Sequence, residues 1–208
     1  MSVRAIVPFF PAVPTLMTRP TRALLNWSHL RHNYELARSH ADGKTYAVIK
    51  ANGYGHGLVN CARALSSADG FAVACVDEAV ALRDAGIQRP LLVLQGAYDA
   101  QEWQQAAELN LQLALHHEQQ LADRASVRLS RPVSVWLKIN SGMNRLGFRP
   151  AQASDILQRI EQDPDLNLRY IMSHFSSADE WQSPAFYAQL ETMVAQHWPV
   201  PFSLSSSA

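Results

Sequence analysis

Short apolar runs alternate with helix-period stretches along nearly the whole of this chain, and no other feature constrains its fold as much. The runs are Tyr46–Lys50, Phe71–Cys75, Leu91–Leu94, Leu111–Leu115, Val133–Ile139 and Leu168–Met172, with a weaker one at Phe202–Leu204. Between them, apolar residues recur at helical spacing from Ser28 to about Ser39, Leu58 to Ser66, Asp77 to Ala85, Ala100 to Glu108, Glu118 to Ala125, Ala151 to Ile160 and Pro184 to Gln196. Near-continuous apolar runs belong to strands buried on both faces. Repeated β-then-α units of this kind predict an α/β fold, a parallel sheet covered by helices. Ser28 and Asp77 stand where helix N-caps are expected, and Gly86 stands as a C-terminal stop.

Unit lengths of roughly 20–35 residues suit a (β/α)8 barrel of the TIM type. A complete barrel takes about 250 residues and eight strands, whereas here there are 208 residues and seven runs. The expectation is an incomplete barrel with about seven of its eight strands over residues 21–208 and no C-terminal β domain. A flexible extension is expected over residues 1–20, where Pro8, Pro11 and Pro14 interrupt regular structure. Met17 is an alternative start. The competing architecture is a doubly wound open sheet, but no Gly-x-Gly-x-x-Gly fingerprint opens any helix.

Eighteen Lys and Arg residues balance eighteen Asp and Glu. That balance leaves no electrostatic footprint for nucleic acid or an anionic membrane surface. No apolar run approaches the ~18 residues of a membrane-spanning helix, and the opening segment lacks a signal-peptide cleavage pattern. Cys61 and Cys75 read as free thiols, which fits a reducing cytoplasm.

In a parallel barrel, function collects at the C-terminal ends of the strands. Lys50 ends the first run, Leu94 the third, Lys138 and Asn140 close the fifth, His174 follows the sixth, and Ser205 to Ser207 end the seventh. A lysine at the end of a buried strand is costly to desolvate. What burial supplies is an amine that can attack a carbonyl. The segment after Lys50 has glycines at alternate positions, Gly53, Gly55 and Gly57, expected to turn backbone N–H groups toward an anion near a helix start. A Schiff-base lysine beside an anion cradle points to pyridoxal 5'-phosphate. Lys138, inside an apolar run, requires a partner or a modification, and Arg145 occupies the glycine-bearing loop that follows. Read singly, Tyr54 is a packing aromatic, His174 a core histidine and Ser205 to Ser207 a tail. His116 and His117 read as loop residues without metal-ligand partners, and Trp103, Trp136 and Trp181 as packing residues.

Four segments together resemble the alanine racemase family, pyridoxal-phosphate enzymes of the barrel type. They are Val48 to Gly57, Asp77-Glu78-Ala79 with Leu82-Arg83, Lys138 to Gly147, and Met172-Ser173-His174-Phe175. The resemblance runs from about Arg22 to Ala208. It implies that Lys50 holds the cofactor and is the base on one face of the substrate, that Tyr54 and Ser207 bind the phosphate, and that Arg145 donates to the cofactor's phenolic oxygen. Lys138 matches a lysine often carbamylated in that family, an anion able to orient Arg145. His174 would give support from behind, and Leu94 would form a wall of the pocket. The implied reaction interconverts L- and D-alanine in a homodimer, with D-alanine supplying peptidoglycan.

In that family the second base is a tyrosine on a β-rich domain that follows the barrel and reaches the partner subunit's site. That domain, the last strand, an arginine at the pyridine nitrogen and late phosphate contacts are not among these 208 residues. Asn140 stands where aspartate is common, and Ser206 where asparagine is. The expectation is a chain inactive or nearly so as a racemase by itself. The alternative is a single-domain pyridoxal-phosphate carrier without turnover, against which Lys138, Arg145 and Met143-Asn144 argue. A broader amino-acid racemase is a third reading, and such enzymes commonly carry an export signal.

Overall fold

The computed structural model describes residues 23–180 and 182–205. In chain order the elements are α1 (Trp27–Ser39), β1 (Tyr46–Val48), α2 (Lys50–Tyr54), α3 (Leu58–Ala64), β2 (Gly70–Val73), α4 (Val76–Asp84), β3 (Leu91–Val93), α5 (Ala100–Glu108) and β4 (Gln112–Leu115). There follow α6 (Glu118–Ala125), β5 (Val133–Lys138), a 3-10 turn at Pro150–Gln152, α7 (Ala153–Gln162), β6 (Leu166–His174), α8 (Pro184–Val194) and β7 (Phe202–Ser205). Every neighbouring pair of strands is parallel, in the order β1 to β7. The result is a curled half-barrel with β1 and β7 as its edges. All seven expected strands and all seven expected helices are present. The expected extension over residues 1–20, Trp181 and Ser207 lie outside the described residues.

Two helix starts differ from expectation. Asn26, not Ser28, caps α1: its Oδ1 accepts from the N–H groups of Ser28 at 3.0 Å and His29 at 3.2 Å. Its short amide satisfies two otherwise unpaired donors at once. Asp77 lies inside the first turn of α4, where its charge favours the helix dipole without capping it.

The two faces of the sheet are packed differently. Outward side chains, among them Phe71, Val73, Leu91, Leu113, Leu137 and Ile171, join Leu82, Trp103, Ile156 and Met193 from the helices in one large core. The inner face holds a smaller cluster of Ala72, Leu92 and Trp136, flanked by Tyr46, Leu94, Tyr170 and Met172. Trp136 stacks obliquely on Tyr170, 4.4 Å between centroids, and meets Tyr46 edge-on at 5.4 Å. Gln112 Oε1 accepts from Trp136 Nε1 at 2.9 Å and from the Tyr46 hydroxyl at 3.3 Å. This aromatic layer needs Gly70, because a Cβ there would lie 2.5 Å from the Tyr46 ring. Two of the three tryptophans expected to pack do so, Trp103 among the helices and Trp136 inside the barrel.

A bulge in β6 decides which residues face inward. Val135 pairs with Leu168 but Trp136 pairs with Tyr170, so Arg169 is an extra residue. One extra residue exchanges the two faces of everything that follows it. Leu166 and Leu168 face the helices, whereas Tyr170, Met172 and His174 face the barrel interior, and Ile171 and Ser173 point outward. Among the described residues no helix is long and apolar enough to cross a membrane.

Candidate active site

Parallel strands put all of their C-terminal ends on one rim, and the expected residues gather there. Lys50 is partly buried just after β1, Leu94 just after β3, Lys138 ends β5 and His174 ends β6. Arg145 and Tyr54 are exposed, on the loop after β5 and on α2 respectively.

The strand expected to end at Lys50 stops at Val48, and the five residues that follow Lys50 form a turn of the opposite hand. Ala51, Asn52 and Gly53 have φ/ψ of 53/51, 54/45 and 62/40°, and Tyr54 has φ 52°. A left-handed turn costs an ordinary residue roughly 1–2 kcal/mol, so three non-glycine residues here must be held from around them. Gly53 donates to the Ile49 carbonyl at 2.8 Å, Gly57 donates to the Asn52 carbonyl at 2.9 Å, and Asn52 Oδ1 accepts from Leu58 N–H at 2.8 Å. Gly53 is also required by packing, since a Cβ would meet Cys61 Sγ at 2.7 Å. The anion cradle expected of the alternating glycines is not what these groups form. The N–H groups of Gly53, Gly55, His56, Gly57 and Leu58 all bond within the segment, because a left-handed turn closes its own hydrogen bonds.

Lys138 is only 8% exposed. Burial lowers its pKa from the ordinary 10.5, and the charges of Arg145 and Lys50 lower it further. His174 is likewise pulled below 6.5, first by burial and then by Arg145, Lys138 and Lys50. Among the described residues the ion pairs involve only Arg38, Arg124 and Arg159. Lys50, Lys138 and Arg145 therefore share one rim with no carboxylate paired to any of them. No group of His, Cys, Asp and Glu among the described residues is arranged to hold a metal.

One residue read as a plain loop position belongs to this rim. His116 follows β4 directly, its Nε2 lies 2.9 Å from the Gln95 carbonyl, and Lys138 is among the charges that lower its pKa after burial. Its place at a strand end was the available signal. Buried Gln120 fixes it by accepting from the N–H groups of His116 and His117, while its Nε2 donates to the Gln95 carbonyl after β3. His117, by contrast, caps α6. The loop carrying Arg145 is pinned at its base, where Phe148 donates to the Lys138 carbonyl at 2.9 Å and Asn140 donates to that of Phe148 at 2.8 Å. Gly147 is needed there, because a Cβ would lie 2.6 Å from the Asn140 nitrogen.

The alanine racemase N-terminal domain family matches residues 25–207. The chain belongs to the alanine racemase family. It is 44% identical over 193 residues to the alanine racemase of Azoarcus sp. (strain BH72), covering 91% of this chain and 55% of that protein. It is also 44% identical over 178 residues to the catabolic alanine racemase of Pseudomonas aeruginosa, covering 85% and 50%. Among solved structures, the biosynthetic alanine racemase of Pseudomonas aeruginosa superposes with a TM-score of 0.79 at 38% identity, over 86% of this chain and 51% of that one. The chain thus spans about half the length of the curated relatives it matches.

The racemase-family cofactor, pyridoxal 5'-phosphate, is an anion with an electrophilic carbon. A rim that gathers Lys50, Lys138 and Arg145 without a paired carboxylate, over an aromatic floor, suits such a group. A buried lysine lacking an acidic partner is the clearest sign of fit, since buried charges ordinarily have one.

Proposed function

We propose that this chain carries the cofactor-binding half-barrel of an alanine racemase, binds pyridoxal 5'-phosphate through Lys50, and serves the interconversion of L- and D-alanine. The observation that carries this reading is the unpaired cationic rim around Lys50, in a chain of the racemase family. When bound, the cofactor supplies the electron sink that makes the alanine Cα–H acidic.

Lys50 holds the cofactor through its amine and, once displaced by substrate, takes or returns the Cα proton on its own face. Arg145, always charged, donates to the phenolic oxygen. Tyr54 and Ser207 bind the phosphate, Leu94 walls the pocket, and His174 backs the site from β6. Burial makes the neutral amine of Lys138 more available, and that form can add carbon dioxide and release a proton. The resulting carbamate is an anion beside Arg145, which removes the repulsion that the unmodified lysine imposes. Racemisation also requires a proton donor on the opposite face, which we assign to a tyrosine of a partner subunit, as in the homodimer that the family resemblance implies. By themselves these 208 residues are expected to bind cofactor with little or no turnover.

The test is the absorption spectrum of the purified chain with pyridoxal 5'-phosphate, beside Lys50→Ala. A visible band that the variant lacks supports the assignment of Lys50. No band in the parent chain overturns it. Chiral chromatography after incubation with L-alanine then separates binding from turnover, and fast racemisation would overturn the need for a second base.

A further inference from the structure

The acidic segment Asp77-Glu78 has no part in the proposed chemistry, yet Glu78 reaches the Lys50 segment. From the first turn of α4 its carboxylate takes one backbone N–H on each oxygen: Oε1 from Asn52 at 3.0 Å and Oε2 from Ala74 at 2.8 Å. Ala74 directly follows β2, the strand paired with β1. Asn52 lies within the run of five positive-φ residues that begins one place after Lys50.

Such a run persists only where its surroundings over-determine it. Most of its hydrogen bonds are internal and would travel with the turn if it moved. Among the described residues, Glu78 makes the one side-chain hydrogen bond that reaches residues 49–58 from outside. The acceptor is a carboxylate, and hydrogen bonds to ionised acceptors are about twice as strong as neutral ones. Both of its oxygens are engaged, so the carboxylate is a two-point clamp between the end of β2 and the turn.

We propose that Glu78 is a positioning residue for Lys50: it fastens the left-handed turn to the end of β2 and so sets where the lysine amine stands on the rim. Glu78 forms no ion pair with Lys50 or Lys138, and it acts through Asn52. The clamp does not depend on the cofactor; its consequence for reactivity rests on Lys50 being the cofactor lysine.

The experiment compares the full chain with Glu78→Ala and Glu78→Gln in two measurements. Amide hydrogen exchange without cofactor reads the clamp directly. Glu78→Ala is expected to speed exchange over residues 50–57 and at Ala74 by about tenfold, the loss of charge-assisted hydrogen bonds, with β4 and β5 unchanged. Glu78→Gln, which keeps one acceptor oxygen, is expected to fall between. The second measurement is the rate at which pyridoxal 5'-phosphate becomes trapped on Lys50 by borohydride, expected to drop in the same order. Unchanged exchange at residues 50–57, or an equal rise along the whole chain, overturns the clamp. An opened turn with an undiminished trapping rate overturns the positioning role. If Lys50 of the parent chain is not labelled, the cofactor reading fails, while the exchange comparison still decides the clamp.

Discussion

Asn140 and Asn144 hold each other by two hydrogen bonds running in opposite directions. Asn140 Nδ2 donates to Asn144 Oδ1, and the Asn144 backbone N–H donates to Asn140 Oδ1, each at 3.0 Å. The same Oδ1 accepts from Gly142 N–H at 3.1 Å. One side chain therefore shapes the loop just before Arg145, including Asn144, whose φ is 60°. Replacing it by alanine removes all three bonds and is expected to cost about 1–2 kcal/mol in urea unfolding. Asn140→Asp keeps both acceptor bonds and gives up only the one donated to Asn144, whose own amide nitrogen is already engaged with the Gly142 carbonyl at 3.0 Å. That variant should stay within roughly 1 kcal/mol of the parent.

Stability is expected to fall on mild acidification. Burial holds His116 and His174 below the ordinary 6.5 in the folded chain. As pH rises toward 6.5 the folded chain releases these protons while the unfolded chain still binds them, so stability climbs and then levels off. Glu102 works the other way, because burial raises its carboxyl above 4.5 and folding gains as it is protonated. His174→Gln should flatten the slope of unfolding free energy against pH between about 5 and 6.5. An unchanged slope would remove His174 from this account.

On the proposed reading, Lys138 serves binding at the expense of the empty fold. Lys138→Met exchanges a buried cation that has no acidic partner among the described residues for an apolar chain of similar length. It is expected to stabilise the apo chain by roughly 0.5–2 kcal/mol while weakening cofactor binding. Added bicarbonate should stabilise the parent chain and leave Lys138→Met unaffected. Thermal melts with and without bicarbonate check both statements.

Arg83, in the segment Leu82-Arg83, serves the opposite end of the barrel. Its Nε donates to the Leu109 carbonyl at 2.9 Å, Nη1 to those of Ile87 at 2.6 Å and Arg89 at 2.9 Å, and Nη2 to that of Asn110 at 3.2 Å. One planar fork thus ties together the loops entering β3 and β4. Arg83→Ala is expected to cost about 2–3 kcal/mol, and Arg83→Lys nearly as much, since a single ammonium cannot span both loops. Urea unfolding of the two variants measures this, and cofactor affinity should be unchanged in either.

The sheet was legible because fully buried parallel strands write themselves as unbroken apolar runs, as in Leu91–Val93 and Val133–Lys138. The rim was legible because ionisable residues sat where such runs ended. What escaped was set over long distances. The turn after Lys50 is fastened to the end of β2 by a carboxylate at residue 78, and nothing local in Ala51-Asn52 declares that contact. The inner floor escaped because Tyr46, Gln112 and Tyr170 meet only across three separate strands. The place of His116 on the rim escaped because the groups that fix it, Gln120 and the Gln95 carbonyl, belong to other elements.

The extra residue at Arg169 gives β6 one residue of slack. A bulge accepts many side chains, and Arg169 is exposed, so substitution there leaves the phase of the strand intact. Loss of that one codon would only close the bulge. Leu168 and Tyr170 would become neighbours in an unbroken ladder against Val135 and Trp136, and His174 would keep its place at the mouth of the barrel although the gene had grown one codon shorter.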